Sequence, residues 1–353
     1  MTAPGASVDG MSLAELTLMA GRDPLAAELA RSLAVRCGVS SGASIAIGFS
    51  GGPDSTALLV LLHALASRRK PLVGRLLAVH VNHGMRPESR QESTEVEAFC
   101  DSLGIDVDVR SVSVPQQGGN RSELARNARY RALTAAAEEH GSDFVATAHH
   151  AEDRFETMLQ ALCRGAGVSG LTHPQWARPL GEGVLIRPLL GCSRSELRAF
   201  CTRAEVPFLE DPSNSDPRTA RGLLRKEVLP VLEARWPGAA KRASAAADRL
   251  AVASSALDDL VQDRFGSPDL QEWPRSVFRG LDPEVTTTLL RRAVLLHACP
   301  LATGAESNPC SARLLEAALA ISDDDLELRD FGFLGDRVRV KVGSDRVSVI
   351  SVA

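Results

Sequence analysis

Six consecutive residues combine glycine, proline and short polar side chains in an order that suits phosphate binding. Glycines let several backbone N–H groups approach an anion, and the start of a following helix adds partial positive charge. A carboxylate in such a loop would repel phosphate unless a divalent cation lay between the two groups. The composition therefore predicts a loop for metal-bound phosphates, with its aspartate as a metal ligand. The six residues are Ser50, Gly51, Gly52, Pro53, Asp54 and Ser55.

The sequence on either side of this loop predicts a strand before it and a helix after it. An apolar run covers residues 45–49, and a leucine-rich run covers residues 56–66. No Gly-Lys-Ser/Thr sequence occurs in the loop, so it is not a Walker loop. A tight turn without a ligand is the alternative interpretation, and six such residues between a strand and a helix weigh against it.

The loop resembles the SGGxDS loop of the PP-loop ATP pyrophosphatases, which cleave ATP to AMP and pyrophosphate. This resemblance implies ATP as a substrate, Mg²⁺ as the cation, and all six loop residues in ATP binding. It does not choose among the members of that superfamily, which include NAD synthetase, GMP synthetase and several tRNA-modifying enzymes.

A histidine and two acids follow another predicted strand, at residues 144–148. His149 comes at the end of that strand, and Asp153 and Glu156 lie one turn apart on the helix that follows. The same helix carries an apolar stripe on its other side, from Phe155 to Leu162. Acids at a helix start are favoured by the helix dipole alone, but a histidine with two acids at a strand end also suits a magnesium–ATP site.

Two further groups are candidates for a ligand site. His83 and Arg86 follow the predicted strand at residues 76–81, where ligands collect in open α/β sheets. Arg126 and Arg129 share one face of a predicted helix and suit phosphate contacts. A plain polar loop and a solvated charged face are the respective alternatives, and spacing alone leaves both open.

The elements that must position these residues alternate between strands and helices, which predicts an α/β fold with a doubly wound parallel sheet. From residue 239 onward three helical runs are followed by alternating apolar and polar residues at 326–352. These predict a smaller, mostly helical C-terminal domain that ends in short strands. The predicted strands of the sheet are residues 45–49, 76–81, 107–114, 144–148 and 184–190.

The net charge, the cysteines and the apolar runs of the sequence predict the compartment and the kinds of partner of the protein. The net charge of −4 gives no global attraction to nucleic acid, so any RNA contact must be a local basic face. The seven cysteines are scattered without C-x-x-C spacing, which indicates reduced cytosolic thiols. No apolar run is long enough to span a membrane, and no basic segment with an apolar core begins the chain. We therefore expect a cytoplasmic protein without a membrane partner.

Over residues 44–238 the chain resembles the tRNA(Ile)-lysidine synthetase family. The EDPSN element and the arginine-rich helix after it separate that family from NAD and GMP synthetases. The matching stretches are SGGPDS at 50–55, HVNHGMR at 80–86, SELARNARY at 122–130, ATAHHAEDRFET at 146–157, RGAG at 164–167, IRPLL at 186–190, SRSEL at 193–197, EDPSNSD at 210–216 and RKEVLPVLEARWPG at 225–238.

This resemblance implies adenylation of the wobble cytidine of a CAU-anticodon tRNA(Ile), followed by displacement of AMP by free lysine. It implies catalytic roles for Asp54, Arg129, Asp153 and Glu156. His149 is assigned to ATP binding. The basic residues Arg221 and Arg225 are assigned to contacts with the nucleic acid.

Three positions depart from the family pattern. Glu152 and Arg154 stand where the family usually has Asp and Gln, and Gly222 lies where an Asn is usual. These departures concern the metal and base contacts. A PP-loop synthetase for a small molecule and a non-catalytic nucleotide-binding module are the competing hypotheses.

The predicted organisation has three parts: an N-terminal extension at residues 1–40, a catalytic domain at 41–238 and an accessory domain at 239–353. In the family such an accessory domain helps to bind tRNA. Packing or homodimer formation is the alternative use of this domain.

Overall fold

The computed structural model describes residues 7–8, 11–82, 89–112, 121–209, 219–265, 272–298, 311–323, 328–334 and 336–352. The candidate residues His83 and Arg86 lie outside the described residues. The chain divides into two compact units. The first contains Met1–Cys163 and Gly170–Arg249, and the second contains Arg164–Ser169 and Leu250–Ala353.

The first unit begins with short elements that lead into two helices. A capping box between Ser12 and Glu15 starts the first helix, and the Asp23 side chain caps the second. The second helix and the turn after it pack against the core through Leu29 and Leu33, which are fully buried. The elements are β1 (Ser7–Val8), β2 (Met11–Ser12), α1 (Leu13–Arg22), α2 (Pro24–Arg31) and a π-helical turn at Ser32–Arg36.

A six-stranded sheet forms the centre of this unit. Its strands are β3 (Ala43–Gly48), β4 (Val73–Asn82), β5 (Asp106–Ser111), β6 (Phe144–Ala146), β7 (Ala177–Leu180) and β8 (Gly183–Ile186). Their order is β5-β4-β3-β6-β8-β7, and every neighbouring pair is parallel except β7 and β8. The chain moves outward from β3 on one side and from β6 on the other, so the order reverses between these two strands. This confirms the predicted doubly wound sheet, to which the structure adds an antiparallel edge strand.

Helices cover both faces of the sheet because its central strands are apolar on both sides. Ile45 and Ile47 belong to one buried cluster, whereas Ala46 between them belongs to another, under α5. The helices are α3 (Pro53–Ala66), α4 (Ser89–Leu103), α5 (Arg121–Glu139), α6 (Ala151–Cys163), α7 (Arg194–Arg203), α8 (Ala220–Leu223) and α9 (Leu229–Arg235). A π-helical turn at Leu224–Val228 joins the last two.

The burial of α6 is the reverse of what its apolar stripe indicates. Asp153, Arg154 and Glu156 are buried, whereas Leu162 at the end of the stripe is 52% exposed. The charged residues are buried because partners from distant parts of the chain satisfy them, as described below. Hydrophobic periodicity carries no information about such partners.

The second unit combines helices with a four-stranded antiparallel sheet. Val338, Val340 and Val342 alternate into its buried core, as the period-two pattern predicts. The sheet order is β10-β11-β12-β9, in which the short strand β9 was not predicted. The elements are α10 (Ala239–Phe265), which begins in the first unit, β9 (Glu272–Pro274), α11 (Pro283–Ala298), α12 (Ser311–Ser322), β10 (Arg329–Phe333), β11 (Val338–Val342) and β12 (Arg346–Ser351).

Among the residues that the structure describes, no helix combines the length and apolar character needed to cross a membrane.

Candidate active site

The loop at residues 50–55 joins β3 to α3 at the point where the strand order reverses, which is the usual ligand site of open α/β sheets. Gly51 has a φ of +77°, a conformation that favours glycine. A Cβ atom at Gly51 would lie 2.7 Å from Cδ1 of Leu209. The backbone N–H of Leu209 donates to the carbonyl of Gly51 at 2.8 Å, so a distant segment holds the loop. The hydroxyls of Ser50 and Ser55 lie 3.1 Å apart.

We expect Gly51→Ala to destabilise the protein more than Gly104→Ala. Both glycines have positive φ, but a Cβ at Gly104 would meet nothing within 4 Å. The left-handed conformation costs about 1–2 kcal/mol at either position, and the contact with Leu209 adds to it only at Gly51. Urea unfolding of the two variants measures the difference. Equal losses would show that the loop and Leu209 separate freely.

Asp54 lies in the first turn of α3 with one carboxylate oxygen unsatisfied. Its Oδ1 is buried without a hydrogen-bond partner, and its Oδ2 is 3.6 Å from Nε2 of His150. Burial raises the pKa of Asp54, and the nearby Asp153 carboxylate raises it further. No group of three or more His, Cys, Asp or Glu residues in the described part of the chain could hold a metal ion. A single unsatisfied carboxylate fits Mg²⁺ that takes its other ligands from phosphate and water.

His150 faces three carboxylates. Its ring nitrogens lie 3.0 Å from Oε2 of Glu152, 3.4 Å from Oδ2 of Asp153 and 3.6 Å from Oδ2 of Asp54. Burial alone would lower the pKa of His150, but the three carboxylates outweigh it and raise that pKa to about 9. The ring is therefore a buried cation at neutral pH. His149 was predicted from the sequence instead. The only sequence signal for His150 was the pair of adjacent histidines at the end of the strand.

His149 has a different environment. Its Nδ1 is 2.9 Å from the hydroxyl of Thr147, and the ring is half-buried. Burial holds the pKa of His149 well below its usual value, and Arg129 and Arg187 nearby act in the same direction. The two adjacent histidines therefore differ in charge at neutral pH: His150 is a cation, and His149 is neutral.

The acids of α6 form a compact cluster with two arginines. The guanidinium groups of Arg221 and Arg225 each donate to Oδ1 of Asp153 at 3.0 Å. Glu156, with no exposed surface, accepts from Nε of Arg221 at 2.7 Å and from Nε of Arg225 at 2.8 Å. Although the burial of Asp153 opposes its ionisation, the positive charges of His150, Arg221 and Arg225 keep its pKa well below the usual value. The residues predicted for catalysis and those predicted for nucleic-acid binding therefore contact each other directly.

Arg129 does not join this cluster. It lies on α5 with its guanidinium carbon 5.5 Å from the centre of the Tyr130 ring, and its Nε is buried without a hydrogen-bond partner. The predicted site residues thus form two neighbouring groups. His149 lies among the charges of both, since Asp153 and Arg129 each act on its pKa.

The residues that depart from the family pattern have clear partners. Glu152 accepts from the backbone N–H of Arg194 at 3.0 Å, besides its contact with His150. Gly222 is buried, and its backbone N–H donates to the hydroxyl of Thr219 at the start of α8.

Arg154 is only 1% exposed and joins α6 to the first turns of α10. It donates to Oδ1 of Asp248 at 2.6 Å, to the carbonyl of Ser244 at 3.2 Å and to the carbonyl of Thr172 at 3.1 Å. The indole N–H of Trp176 donates to the same oxygen of Asp248 at 2.7 Å. The Arg154 side chain thus fixes the helix that carries Asp153 and Glu156.

We expect Arg154→Met to lower the free energy of unfolding by about 3 kcal/mol, because it leaves the half-buried carboxylate of Asp248 with only the more distant cation of Arg36, at 3.5 Å. The double variant Arg154→Met/Asp248→Asn should lose less than the sum of the two single losses. Urea unfolding of the three variants measures this coupling. Additive losses would show that the two side chains stabilise the protein independently.

The arrangement can bind a metal-bound polyphosphate and stabilise charge that develops during its cleavage. The loop offers N–H groups and hydroxyls, and Asp54 offers a free carboxylate oxygen. The protonated His150 adds positive charge in a buried setting, where it acts strongly on a developing anion, and the partly exposed Arg221 and Arg225 add more beside it.

Comparison with known proteins shows relatives that share one name. The chain is 41% identical to the tRNA(Ile)-lysidine synthase of Pseudomonas aeruginosa over 231 residues, which are 65% of this chain and 51% of that protein. It is also 41% identical to the tRNA(Ile)-lysidine synthase of Legionella pneumophila strain Lens over 250 residues, 69% of this chain and 56% of that protein. The chain spans about half the length of the curated relatives it matches.

Among solved structures, the U34-tRNA thiolase NcsA from Methanococcus maripaludis has a similar fold. The TM-score is 0.54 at 19% sequence identity, over 70% of this chain and 84% of that chain. The sequence profile of the PP-loop domain matches residues 25–232, which contain the sheet, the loop and both groups of site residues. The chain therefore belongs to the PP-loop domain family.

Proposed function

We propose that the chain uses ATP to attach free lysine to C2 of the wobble cytidine in a tRNA(Ile) with a CAU anticodon. The observation that carries the proposal is a glycine-rich loop whose Asp54 has one unsatisfied carboxylate oxygen, together with two acids of α6 paired to two arginines. It occurs in a chain 41% identical to a tRNA(Ile)-lysidine synthase. The cytidine oxygen would attack the α-phosphorus of ATP and release pyrophosphate. The ε-amine of lysine would then attack C2 and release AMP.

The residues of the site have distinct parts in this proposal. The backbone N–H groups and hydroxyls of residues 50–55 bind the phosphates. Asp54 would hold Mg²⁺, which supplies positive charge to the leaving pyrophosphate when bound. The buried cation of His150 stabilises the ionised state of the carboxylates around it. Asp153 and Glu156 position Arg221 and Arg225 toward the reacting groups.

The remaining assignments belong to the same proposal. Arg129 serves catalysis, and His149 serves ATP binding. Arg221 and Arg225 contact the RNA from the exposed side of their cluster, where Arg221 is 40% exposed. Residues 41–238 form the catalytic domain, residues 1–40 precede it, and residues 239–353 help to bind the tRNA. Free lysine as the amine donor, a cytoplasmic location and a homodimer are predictions of the same kind.

Pyrophosphate release from Mg-ATP tests the proposal. It should require the tRNA, and lysine should increase turnover by removing the adenylated intermediate. Release without tRNA would replace the proposal with a small-molecule synthetase. No release under any of these conditions would leave a nucleotide-binding module.

A further inference from the structure

Three arginines surround one buried aromatic ring beside the candidate active site. The guanidinium carbons of Arg126, Arg178 and Arg129 lie 5.1, 5.2 and 5.5 Å from the centre of the Tyr130 ring. Tyr130 is 7% exposed, and a fourth arginine next to it, Arg187, is 2% exposed. We call these four arginines the arginine cluster. They come from α5, from β7 and from the residue after β8.

The arginine cluster has no acidic partner among the residues that the structure describes. Arg187 donates to the carbonyl of Gln175 at 2.8 Å and also interacts with Tyr130, and Arg178 donates to the carbonyl of Pro179 at 3.1 Å. The Nε atoms of Arg129 and Arg187 are buried without hydrogen-bond partners. Buried N–H groups without partners are costly, so these two atoms indicate an anion that accepts from them.

The arginine cluster is separate from the phosphate loop. Its members come from α5, β7 and the residue after β8, whereas the loop joins β3 to α3, and the main charged groups that act on the pKa of Asp54 are not members of the cluster. The charged groups that act on the pKa of His149 include Asp153 and three members of the arginine cluster, Arg129, Arg187 and Arg126. An anion bound by the cluster would therefore lie near His149.

We propose that the arginine cluster binds a phosphodiester of the RNA substrate next to the nucleotide that enters the active site; this inference rests on the proposed function. A nucleotide turned out of its stack brings its flanking phosphates with it. The phosphates of ATP are already provided for by the loop and Asp54. Guanidinium groups bind phosphate through paired hydrogen bonds, and the two unsatisfied Nε atoms are donors of this kind.

The test compares Arg126→Gln and Arg178→Gln with the wild type. Arg69→Gln, an exposed arginine just beyond the other end of α3, is the matched control for loss of one positive charge. The affinity for an anticodon stem-loop RNA with a CAU anticodon is measured at several salt concentrations, and the affinity for Mg-ATP is measured separately. Thermal unfolding checks that each variant is folded, and Arg187→Lys provides a variant of a buried member that keeps its charge.

Each glutamine variant should bind the stem-loop about tenfold more weakly, and its salt slope should fall by roughly 0.7–0.9, as expected for one lost phosphate contact. Mg-ATP binding and the Arg69→Gln control should match the wild type. Unchanged RNA affinity and an unchanged salt slope in the glutamine variants would overturn the proposed RNA site but leave the proposed function standing. Weaker Mg-ATP binding with unchanged RNA binding would instead assign the arginine cluster to a phosphate of ATP. No RNA binding by the wild type would overturn the proposed function and this site with it.

Discussion

Asp54→Asn is expected to slow pyrophosphate release by about a hundredfold to a thousandfold, which is typical for loss of one group that stabilises transition-state charge. Asparagine keeps the shape of the side chain but removes the charge that would hold Mg²⁺. The fold should tolerate the change, because the carboxylate has a buried oxygen without a partner and lies near a second acid. Activity and stability should therefore respond differently.

The sign of the stability effect follows from the raised pKa of Asp54. A carboxyl group whose pKa is higher in the folded state than in the unfolded state destabilises the fold once it ionises, so its cost is present at neutral pH. Asp54→Asn should remove that cost and leave the protein at least as stable as the wild type. Asp106→Asn, an exposed carboxylate at the start of β5, is the control. Wild-type turnover in Asp54→Asn would remove Asp54 as the metal ligand.

Glu156→Gln is expected to lower the free energy of unfolding by about 3 kcal/mol or more, as is usual when one partner of a buried ion pair is removed. Glu156 has no exposed surface and accepts from both Arg221 and Arg225. Without its charge, the two guanidinium groups share the single carboxylate of Asp153. Pyrophosphate release should fall as well, because both arginines lose their positions.

Urea unfolding measures this prediction, with Glu97→Gln on the exposed side of α4 as the control that should change stability by less than about 0.5 kcal/mol. The double variant Glu156→Gln/Arg225→Gln removes one charge of each sign, so its loss should be smaller than the sum of the single losses. A Glu156→Gln protein as stable as the wild type would show that solvent, not the two arginines, satisfies this carboxylate.

The parts of the fold that could be predicted are those encoded by local periodicity and loop chemistry. The doubly wound sheet followed from apolar runs that alternate with helical runs. The edge strand β7 was missed because a four-residue strand gives too weak an alternation to be read. The three-residue strand β9 was missed for the same reason.

The site was predictable in its residue types but not in its contacts. Spacing placed Asp153 and Glu156 one turn apart, yet it could not show that Arg221 and Arg225, more than 60 positions later, pair with them. The charge on His150 depends on three carboxylates that meet only in the folded chain. The arginine cluster was visible only as two arginines on one helix face.

The mass of the wobble nucleotide after incubation of the protein with Mg-ATP, free lysine and a CAU-anticodon tRNA(Ile) tests the central claim most directly. We predict that the cytidine gains the mass of one lysine less one water. Omitting ATP or lysine should leave its mass unchanged. An unmodified cytidine in an incubation that consumes ATP would contradict the proposed reaction.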